Sequence, residues 1–551
     1  MLNIAKHFRT TIIAVLLTLT TTCLSQSNGF EVIRSLELLD QIYEHLEMYY
    51  VDDIEAGRLS KTAIDAVLKE LDPYTIYYHE SNIEDYKLMT TGQYGGIGAL
   101  IRRHNNYVYI SEPYKDKPAF SAGLKAGDKI LMIDGKEMEE KSSLDISKIL
   151  KGPKGSEVKL KIERDIDGLK TIKNFTVYRD EIKLPDVPYS AMLNESTGYI
   201  KLNSFTKTAS AAVKSSFLKL KDDGMKELIL DLRGNGGGLL IEAVRIVNMF
   251  IEKNQVVVST KGRVEEENNT YKTMEDPIDI QIPIIVLIDK RSASASEIVS
   301  GSLQDLDRAL IIGEESFGKG LVQRTYNLKY GSKVKLTIAK YYTPSGRCVQ
   351  RLEYYDKNNQ EKVSEVADSL IKKFKTKNGR TVTDGRGIEP DIKLEPKILS
   401  PITKILFKEN FLFHYATSYY YKNDSIEKAS EFKLSEADYA DFINYVLNKE
   451  FLYSNTSEMI LKDVREKLEK EGLFEDAKTE YYSLMNRIVP SKQKDLIKNQ
   501  REIKSILENE IVSRYYYQTG RAENSLKEDL VIKKSIEVLK DIDNFNHILG
   551  N

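Results

Sequence analysis

Histidine and cysteine are scarce in this chain of 551 residues, and both shortages limit the chemistry it can carry. None of the six histidines lies between Asn105 and Phe413, although the strongest enzyme-like motifs fall there. A Ser–His–Asp triad would therefore have to take its base from a flanking segment, and a local lysine is the simpler base. The two cysteines, Cys23 and Cys348, are too few for a disulfide framework.

Charge of one sign and long apolar runs are also missing. A formal net charge of −2 gives no electrostatic reason to bind nucleic acid or an anionic membrane. No segment after the N-terminus has a run of about 18 apolar residues, so no stable membrane span is predicted. The absence of a Gly-x-x-x-x-Gly-Lys-Ser/Thr pattern excludes that type of phosphate-binding loop. Length and composition predict a protein of three or four domains in an aqueous environment.

The N-terminus predicts an export signal. Basic residues precede an apolar run at positions 12–19, and positions 23–25 have the small-x-small pattern of a cleavage site. A signal peptide over residues 1–25 would direct the chain to the bacterial periplasm. The alternatives are a short membrane anchor and a lipoprotein attached through Cys23, although Thr20 stands where a lipobox usually has leucine.

The periodicity of the apolar residues changes along the rest of the chain. Residues 26–92 have helical spacing, and residues 93–181 have short β runs separated by turns. Residues 182–400 alternate buried strands with helices, which predicts an α/β core whose sheet is covered on both faces. Residues 401–551 are charged and helical, and their role stays open.

The strongest catalytic signal is the small-residue turn Ser-Ala-Ser-Ala-Ser at positions 292–296, directly after an apolar strand. A strand-to-helix turn exposes a side chain and leaves unpaired N–H groups that can bind an oxyanion. Spacing alone does not choose between Ser292, Ser294 and Ser296. The same pattern also fits a plain helix N-cap.

Lys319 stands between two glycines and is the natural general base for such a serine. A base working near neutral pH needs a pKa about 3 units below the ordinary value of about 10.4, and burial lowers it by penalising the ammonium form. Phe317 and Leu321 can keep water out. Gln323 can orient the amine if the segment is helical, and is a solvated strand residue otherwise. The alternative for Lys319 itself is a surface lysine in a glycine turn.

Two glycine loops can supply backbone donors. The loop at positions 233–238, Arg-Gly-Asn-Gly-Gly-Gly, precedes a predicted helix and can bind an oxyanion. Its alternatives are a tight turn or a nucleotide loop, although it does not fit the Gly-x-Gly-x-x-Gly spacing. The second loop leads into a predicted strand and can bind a peptide's C-terminal carboxylate, unless it is only a domain-linking turn. Its residues are Gly95, Gly96, Ile97 and Gly98, with Arg102 or Arg103 as possible helpers.

This ordered set of motifs resembles the bacterial carboxy-terminal processing (tail-specific) serine proteases over about residues 71–390, well over half of the chain. Gly236 departs from the family, which often has proline there, and the residues after Pro401 match no segment of it. The matching segments are 71–75 (Leu-Asp-Pro-Tyr-Thr), 95–98, 118–128, 231–238, 292–297, 317–320, 342–347 and 387–391.

The resemblance implies a crotonase/ClpP-like protease core with an inserted PDZ domain over residues 93–181. It also implies an N-terminal helical segment and a helical C-terminal region. No metal or other cofactor is implied. The residues implied for the site are Ser294 as nucleophile, Lys319 as general base, Gln323 as its orienting partner, and the N–H groups of Ala295 and of Gly237 or Gly238 as the oxyanion hole.

The resulting hypothesis is an exported serine endopeptidase whose PDZ domain captures the apolar C-terminal tails of protein or peptide substrates. The C-terminal helices would recruit an adaptor or mediate self-association. One alternative is a PDZ scaffold that binds tails without cutting, on a protease-derived core. A second is a carrier of a small apolar ligand on a crotonase-like core.

Overall fold

The structure is a computed structural model that describes residues 27–80, 83–166, 168–354, 363–396 and 398–550. The expected signal peptide over residues 1–25, and Cys23 with it, lies outside this described part. Within it, no helix is both long and apolar enough to span a bilayer.

The first unit is mostly helical. Its elements are α1 (Ser27–Tyr49), α2 (Ala56–Lys69), β1 (Ile76–Tyr78) and α3 (Ile83–Thr91). The carboxylate of Asp72 accepts the N–H groups of Tyr74 and Thr75, each at 2.8 Å, and so forms a turn around Pro73. This turn directs the chain into β1, which belongs to a sheet of the third unit.

The second unit is β-rich. Its elements are β2 (Gln93–Gly96), β3 (Ala99–His104), β4 (Tyr107–Pro113), α4 (Pro118–Ser121), β5 (Lys129–Ile133), β6 (Lys136–Glu137), α5 (Ser143–Leu150), β7 (Glu157–Ile166), β8 (Leu169–Tyr178) and β9 (Asp180–Lys183). The sheet order is β3-β4-β5-β7-β8 with β6 paired to β5, and the pairing of β2 with β9 closes the unit. Every second residue of β7 from Val158 to Arg164 is buried, as a strand with one face on a core requires.

The third unit contains two large sheets and two small two-stranded sheets. Its elements are β10 (Tyr189–Met192), β11 (Thr197–Lys201), α6 (Ala209–Asp222), β12 (Glu227–Asp231), α7 (Leu240–Asn248), β13 (Val256–Gly262), β14 (Asn269–Lys272), β15 (Ile284–Ile288), α8 (Ala295–Asp305), β16 (Leu310–Gly313), β17 (Leu321–Asn327), β18 (Lys333–Tyr342), β19 (Leu352–Glu353), β20 (Ser364–Glu365), β21 (Lys373–Lys375), β22 (Thr381–Thr383) and β23 (Ile392–Lys393). One sheet has the order β10-β11-β12-β15-β16-β23, parallel except at β10. The other large sheet has the order β1-β18-β13-β14, with β17 paired to β18. The two small sheets are β19-β20 and β21-β22.

The fourth unit is helical. Its elements are α9 (Pro401–Lys408), α10 (Phe411–Lys422), α11 (Glu436–Leu447), α12 (Thr456–Lys470), α13 (Phe474–Ile488), α14 (Lys492–Lys498), α15 (Gln500–Leu526), α16 (Leu530–Lys540) and α17 (Ile542–Ile548). Buried residues of α9–α11, α14 and α15 form a core of their own. The α/β class with helical segments at both ends is therefore confirmed.

The parallel sheet is covered on both faces, and the two covers come from different units. All five residues of β15 are buried. Ile284, Val286 and Ile288 pack with residues of α6–α8. Ile285 and Leu287 pack against residues of α16 and α17, so the C-terminal unit completes the core of the third unit.

Candidate active site

Two neighbouring parallel strands bring the glycine turn (residues 233–238) and the serine turn (residues 292–296) together. β12 precedes the glycine turn and β15 precedes the serine turn, and parallel strands end at the same edge of a sheet. The hydroxyl of Ser292 donates to the carbonyl of Leu232 at 2.9 Å. The N–H of Ala293 donates to the carbonyl of Asn235 at 3.1 Å. These two hydrogen bonds hold the two turns together.

Of the three serines in the turn, only Ser294 is partly exposed. Ser292 and Ser296 are each 0% exposed, and their hydroxyls both donate to backbone carbonyls at 2.9 Å. Ser294 stands just before α8 with φ of 55° and ψ of −111°, a conformation that is costly for a residue with a side chain. Such strain is typical of turns that present a functional group.

The carboxylate of Glu297 connects the serine turn to residues 316–320, which form the lysine loop. It is 0% exposed. One of its oxygens accepts the N–H of Ser294 at 2.8 Å and the N–H of Lys319 at 2.9 Å. The other accepts the N–H of Gly318 at 2.7 Å and the hydroxyl of Ser316 at 2.6 Å. The backbone nitrogens of Ser294 and Lys319 therefore lie within two hydrogen-bond lengths of each other.

The surroundings of the Lys319 amine make its proton easier to lose than that of an ordinary lysine. Burial lowers the pKa of Lys319 to about 8, and the nearby charge of Lys335 acts in the same direction. The aromatic ring over the amine is that of Tyr74, whose centroid is 4.1 Å from Nζ. Phe317, which the sequence predicted to exclude water, is 40% exposed instead.

Gln323 lies in strand β17, so the helical spacing that would align it with Lys319 does not apply. Its amide nitrogen donates to the Thr337 hydroxyl at 3.3 Å, and this hydroxyl donates to the Asp72 carboxylate at 3.2 Å. The charge of Asp72 is among those that act on Lys319. Gln323 is thus linked through Thr337 and Asp72 to the groups that surround the Lys319 amine, which form the lysine pocket.

The glycine turn lies directly against Ser294. A Cβ atom on Gly237 would lie 2.7 Å from the Ala293 carbonyl oxygen and 3.0 Å from the Ala295 nitrogen, and Gly237 has φ of +99°. The N–H of Gly237 donates to the side-chain oxygen of Asn235 at 2.9 Å. The N–H of Gly237 is therefore already engaged within the turn, which favours Gly238 over Gly237 as the glycine of the expected oxyanion hole.

The loop considered for peptide binding lies at one end of the β-rich unit. Gly95 and Gly96 belong to β2, and the N–H of Gly95 donates to the Glu84 carboxylate at 2.9 Å. Ile97 and Gly98 connect β2 to β3. β3 is the edge strand of its sheet and contacts α5, so a peptide strand can add there.

Arg102 is engaged by the fourth unit. Its guanidinium lies 4.6 Å from the ring centroid of Phe413 and donates to the Asn410 side chain at 3.1 Å. The Arg102 guanidinium is therefore directed toward the fourth unit, which sequence reasoning did not predict.

Sequence reasoning assigned no role to Glu297 or to Tyr74. Glu297 carried a usable signal, because a Ser-x-x-Glu pattern before a helix predicts a reciprocal cap. No local pattern pointed to Tyr74. It precedes Lys319 by more than 200 residues, and only the tertiary structure brings it over the lysine.

Three family models match successive parts of the chain. Residues 95–173 match a PDZ domain, and residues 196–354 match peptidase family S41. Residues 402–539 match the C-terminal helical domain of a probable PDZ-protease. The region that had no assignment from sequence thus has a counterpart in other PDZ-containing proteases.

The carboxy-terminal-processing protease of Bartonella bacilliformis is 37% identical over 331 residues, which are 59% of this chain and 75% of that protein. The chain belongs to the S41 family of carboxy-terminal-processing serine proteases. A probable CtpA-like serine protease of Staphylococcus aureus is 34% identical over 57% of this chain and 62% of its own length. The solved photosystem II D1 C-terminal processing protease is 26% identical and covers 65% of this chain and 87% of its own, with a TM-score of 0.36. The expected family, fold and serine-peptidase class are confirmed.

Proposed function

We propose that this S41 protease cleaves peptide bonds with a Ser294–Lys319 dyad after its PDZ domain has bound the substrate's C-terminal tail. The observation that carries the proposal is the shared Glu297 oxygen, which holds the serine turn and the lysine loop together. The lowered pKa of Lys319, about 8, supports its use as a neutral base.

In the proposed reaction, Ser294 attacks the scissile carbonyl and Lys319 takes the hydroxyl proton. The N–H groups of Ala295 and Gly238 stabilise the oxyanion of the tetrahedral intermediate. Lys319 then passes the proton to the leaving amine, and water hydrolyses the acyl-enzyme. Gln323 contributes through Thr337 and Asp72, which border the lysine pocket.

For tail recognition, we propose that an apolar C-terminal segment adds to the edge strand β3. Its carboxylate would meet the loop that ends at Ile97 and Gly98. Export to the bacterial periplasm remains part of the proposal and rests on the N-terminal sequence. Detection of the mature chain in a periplasmic fraction tests it.

Substitution of the dyad tests the chemistry. Ser294→Ala and Lys319→Arg should each abolish cleavage of unfolded casein by the full chain, because arginine is no neutral base. Ser296→Ala is the matched control and should keep cleaving, since its hydroxyl is buried against a carbonyl. Activity of Ser294→Ala would reject the nucleophile, and activity of Lys319→Arg would reject the base. Circular dichroism of each variant verifies folding.

A further inference from the structure

The turn at residues 72–75 covers the proposed general base from outside the third unit. The ring centroid of Tyr74 lies 4.1 Å from the Nζ of Lys319. The amine also has Glu297 of α8, Lys335 of β18 and Asp72 of the turn itself as charged neighbours. The amine thus has both charged neighbours and the aromatic face of Tyr74 around it.

The position of the Tyr74 ring is determined by contacts on both sides. Its hydroxyl lies 3.0 Å from that of Tyr354, and the two rings meet edge to face with centroids 5.7 Å apart. On the backbone side, Asp72 accepts the N–H groups of Tyr74 and Thr75. The N–H of Thr337 on β18 donates to the Thr75 hydroxyl at 3.2 Å. A ring held in this way keeps a fixed orientation toward the amine.

The ring acts on the amine in two opposite ways. Its face attracts the ammonium form, whereas its bulk keeps water away and so favours the neutral form. Burial is the largest influence on the amine and, with the charge of Lys335, lowers its pKa in spite of the carboxylates of Glu297 and Asp72. The Tyr74 ring, which lies against Nζ, contributes to this burial.

We propose that Tyr74 is a positioning residue for Lys319, whose ring closes the lysine pocket against water and fixes the direction of the amine. This inference rests on the proposed Ser294–Lys319 dyad. It makes the N-terminal unit part of the active site, since β1 anchors the turn to the sheet that contains Gln323.

The pH dependence of cleavage tests this role. Removal of the ring in Tyr74→Ala and in Tyr74→Gln should admit water and move the acid limb of kcat/KM up by about 1 pH unit or more. Tyr74→Phe should keep the wild-type limb, because the ring remains. Tyr326→Ala, which removes a 39% exposed tyrosine from β17, is the matched control and should also keep it. A wild-type limb in a folded variant without the ring would overturn the proposal, as would a shifted limb in Tyr74→Phe.

A second measurement does not need activity. In the Ser294→Ala background, the rate of acetylation of Lys319 by acetic anhydride is followed against pH by peptide mass spectrometry. The midpoint should rise when Tyr74→Ala is added and stay unchanged with Tyr74→Phe. Equal midpoints in all three proteins would reject the role of Tyr74 and leave the dyad intact. Cleavage by Lys319→Arg would instead reject the dyad itself.

Discussion

At the scale of single residues, the site combines a strained serine with a buried carboxylate that accepts four hydrogen bonds. Burial raises the pKa of Glu297, and the hydrogen bonds donated by Ser316, Lys319, Ser294 and Gly318 oppose that rise. Donors from the serine turn and from the lysine loop converge on the Glu297 carboxylate. Neither segment can therefore move without leaving an oxygen of this buried carboxylate unsatisfied. Glu297 therefore supports the backbone conformation of Ser294.

Lys319 should cost the protein stability, and a pH series can measure this cost. The pKa of Lys319 is about 8 in the folded state against an ordinary value of 10.5, which corresponds to roughly 3 kcal/mol of penalty on the buried ammonium below pH 8. Between these two pKa values the unfolded chain binds more protons, so stability rises with pH across this window. Lys319→Met should therefore be inactive yet more stable than the wild type at pH 7, with an advantage that shrinks toward pH 10.5.

Urea unfolding followed by circular dichroism at both pH values measures this difference. Lys340→Met is the control, because Lys340 is an exposed lysine of β18, and its effect should not vary over the same window. An advantage of Lys319→Met that stays constant with pH would contradict the prediction.

At the scale of elements, the two turns after β12 and β15 form one structure. Gly237 packs against Ala293 and Ala295 so closely that no side chain fits, and its positive φ is strained for any other residue. The exposed neighbour Gly236 is unlike it, because a Cβ atom there would meet nothing within 4 Å.

Gly237→Ala should therefore lower cleavage by about 100-fold or more, since the added methyl group would push the proposed oxyanion donors away from Ser294. It should also destabilise the protein by roughly 2 kcal/mol through steric strain. Gly236→Ala is the matched control and should change both quantities little. Peptide cleavage and urea unfolding measure the two effects. Equal behaviour of the two variants would show that the close approach of the turns is unimportant.

At the scale of the whole molecule, the C-terminal unit contacts both the PDZ domain and the catalytic core. Arg521 pairs with Glu112 of the PDZ domain at 2.7 Å. Arg233, at the start of the glycine turn, pairs with Asp529 at 2.8 Å, and Asp529 also accepts the first N–H groups of α16. The helical unit thereby reaches the loop that carries the proposed oxyanion donors.

Asp529→Asn should remove the ion pair with Arg233 and keep the cap of α16, because asparagine is a good N-cap residue but carries no charge. We expect a loss of about 1 kcal/mol of stability and faster amide hydrogen exchange in residues 233–238, measured by mass spectrometry. Asp541→Asn is the control, since Asp541 caps α17 by accepting the N–H of Asn544 at 3.1 Å. Unchanged exchange in Asp529→Asn would show that the C-terminal unit does not support the glycine turn.

The catalytic loops were predictable because their signals are local. Strand β15 is a continuous apolar run and β12 has three consecutive apolar residues at its centre, and each strand leads into a segment rich in small residues that favours a turn. The preference for Ser294 over Ser292 and Ser296 came from resemblance alone, since all three share the same local pattern. Their different burial depends on carbonyls from the neighbouring turn, some 60 residues away.

The main strands and helices, and the turns between them, could be inferred from the amino-acid sequence, because apolar periodicity and turn chemistry are properties of neighbouring residues. What covers each surface depends instead on tertiary contacts. The tertiary structure put α16 and α17 on the second face of the sheet, Arg102 against Phe413, and Tyr74 over Lys319. Those contacts join segments that are far apart in the chain, and a residue's own neighbours in sequence contain no record of the surface on which it packs.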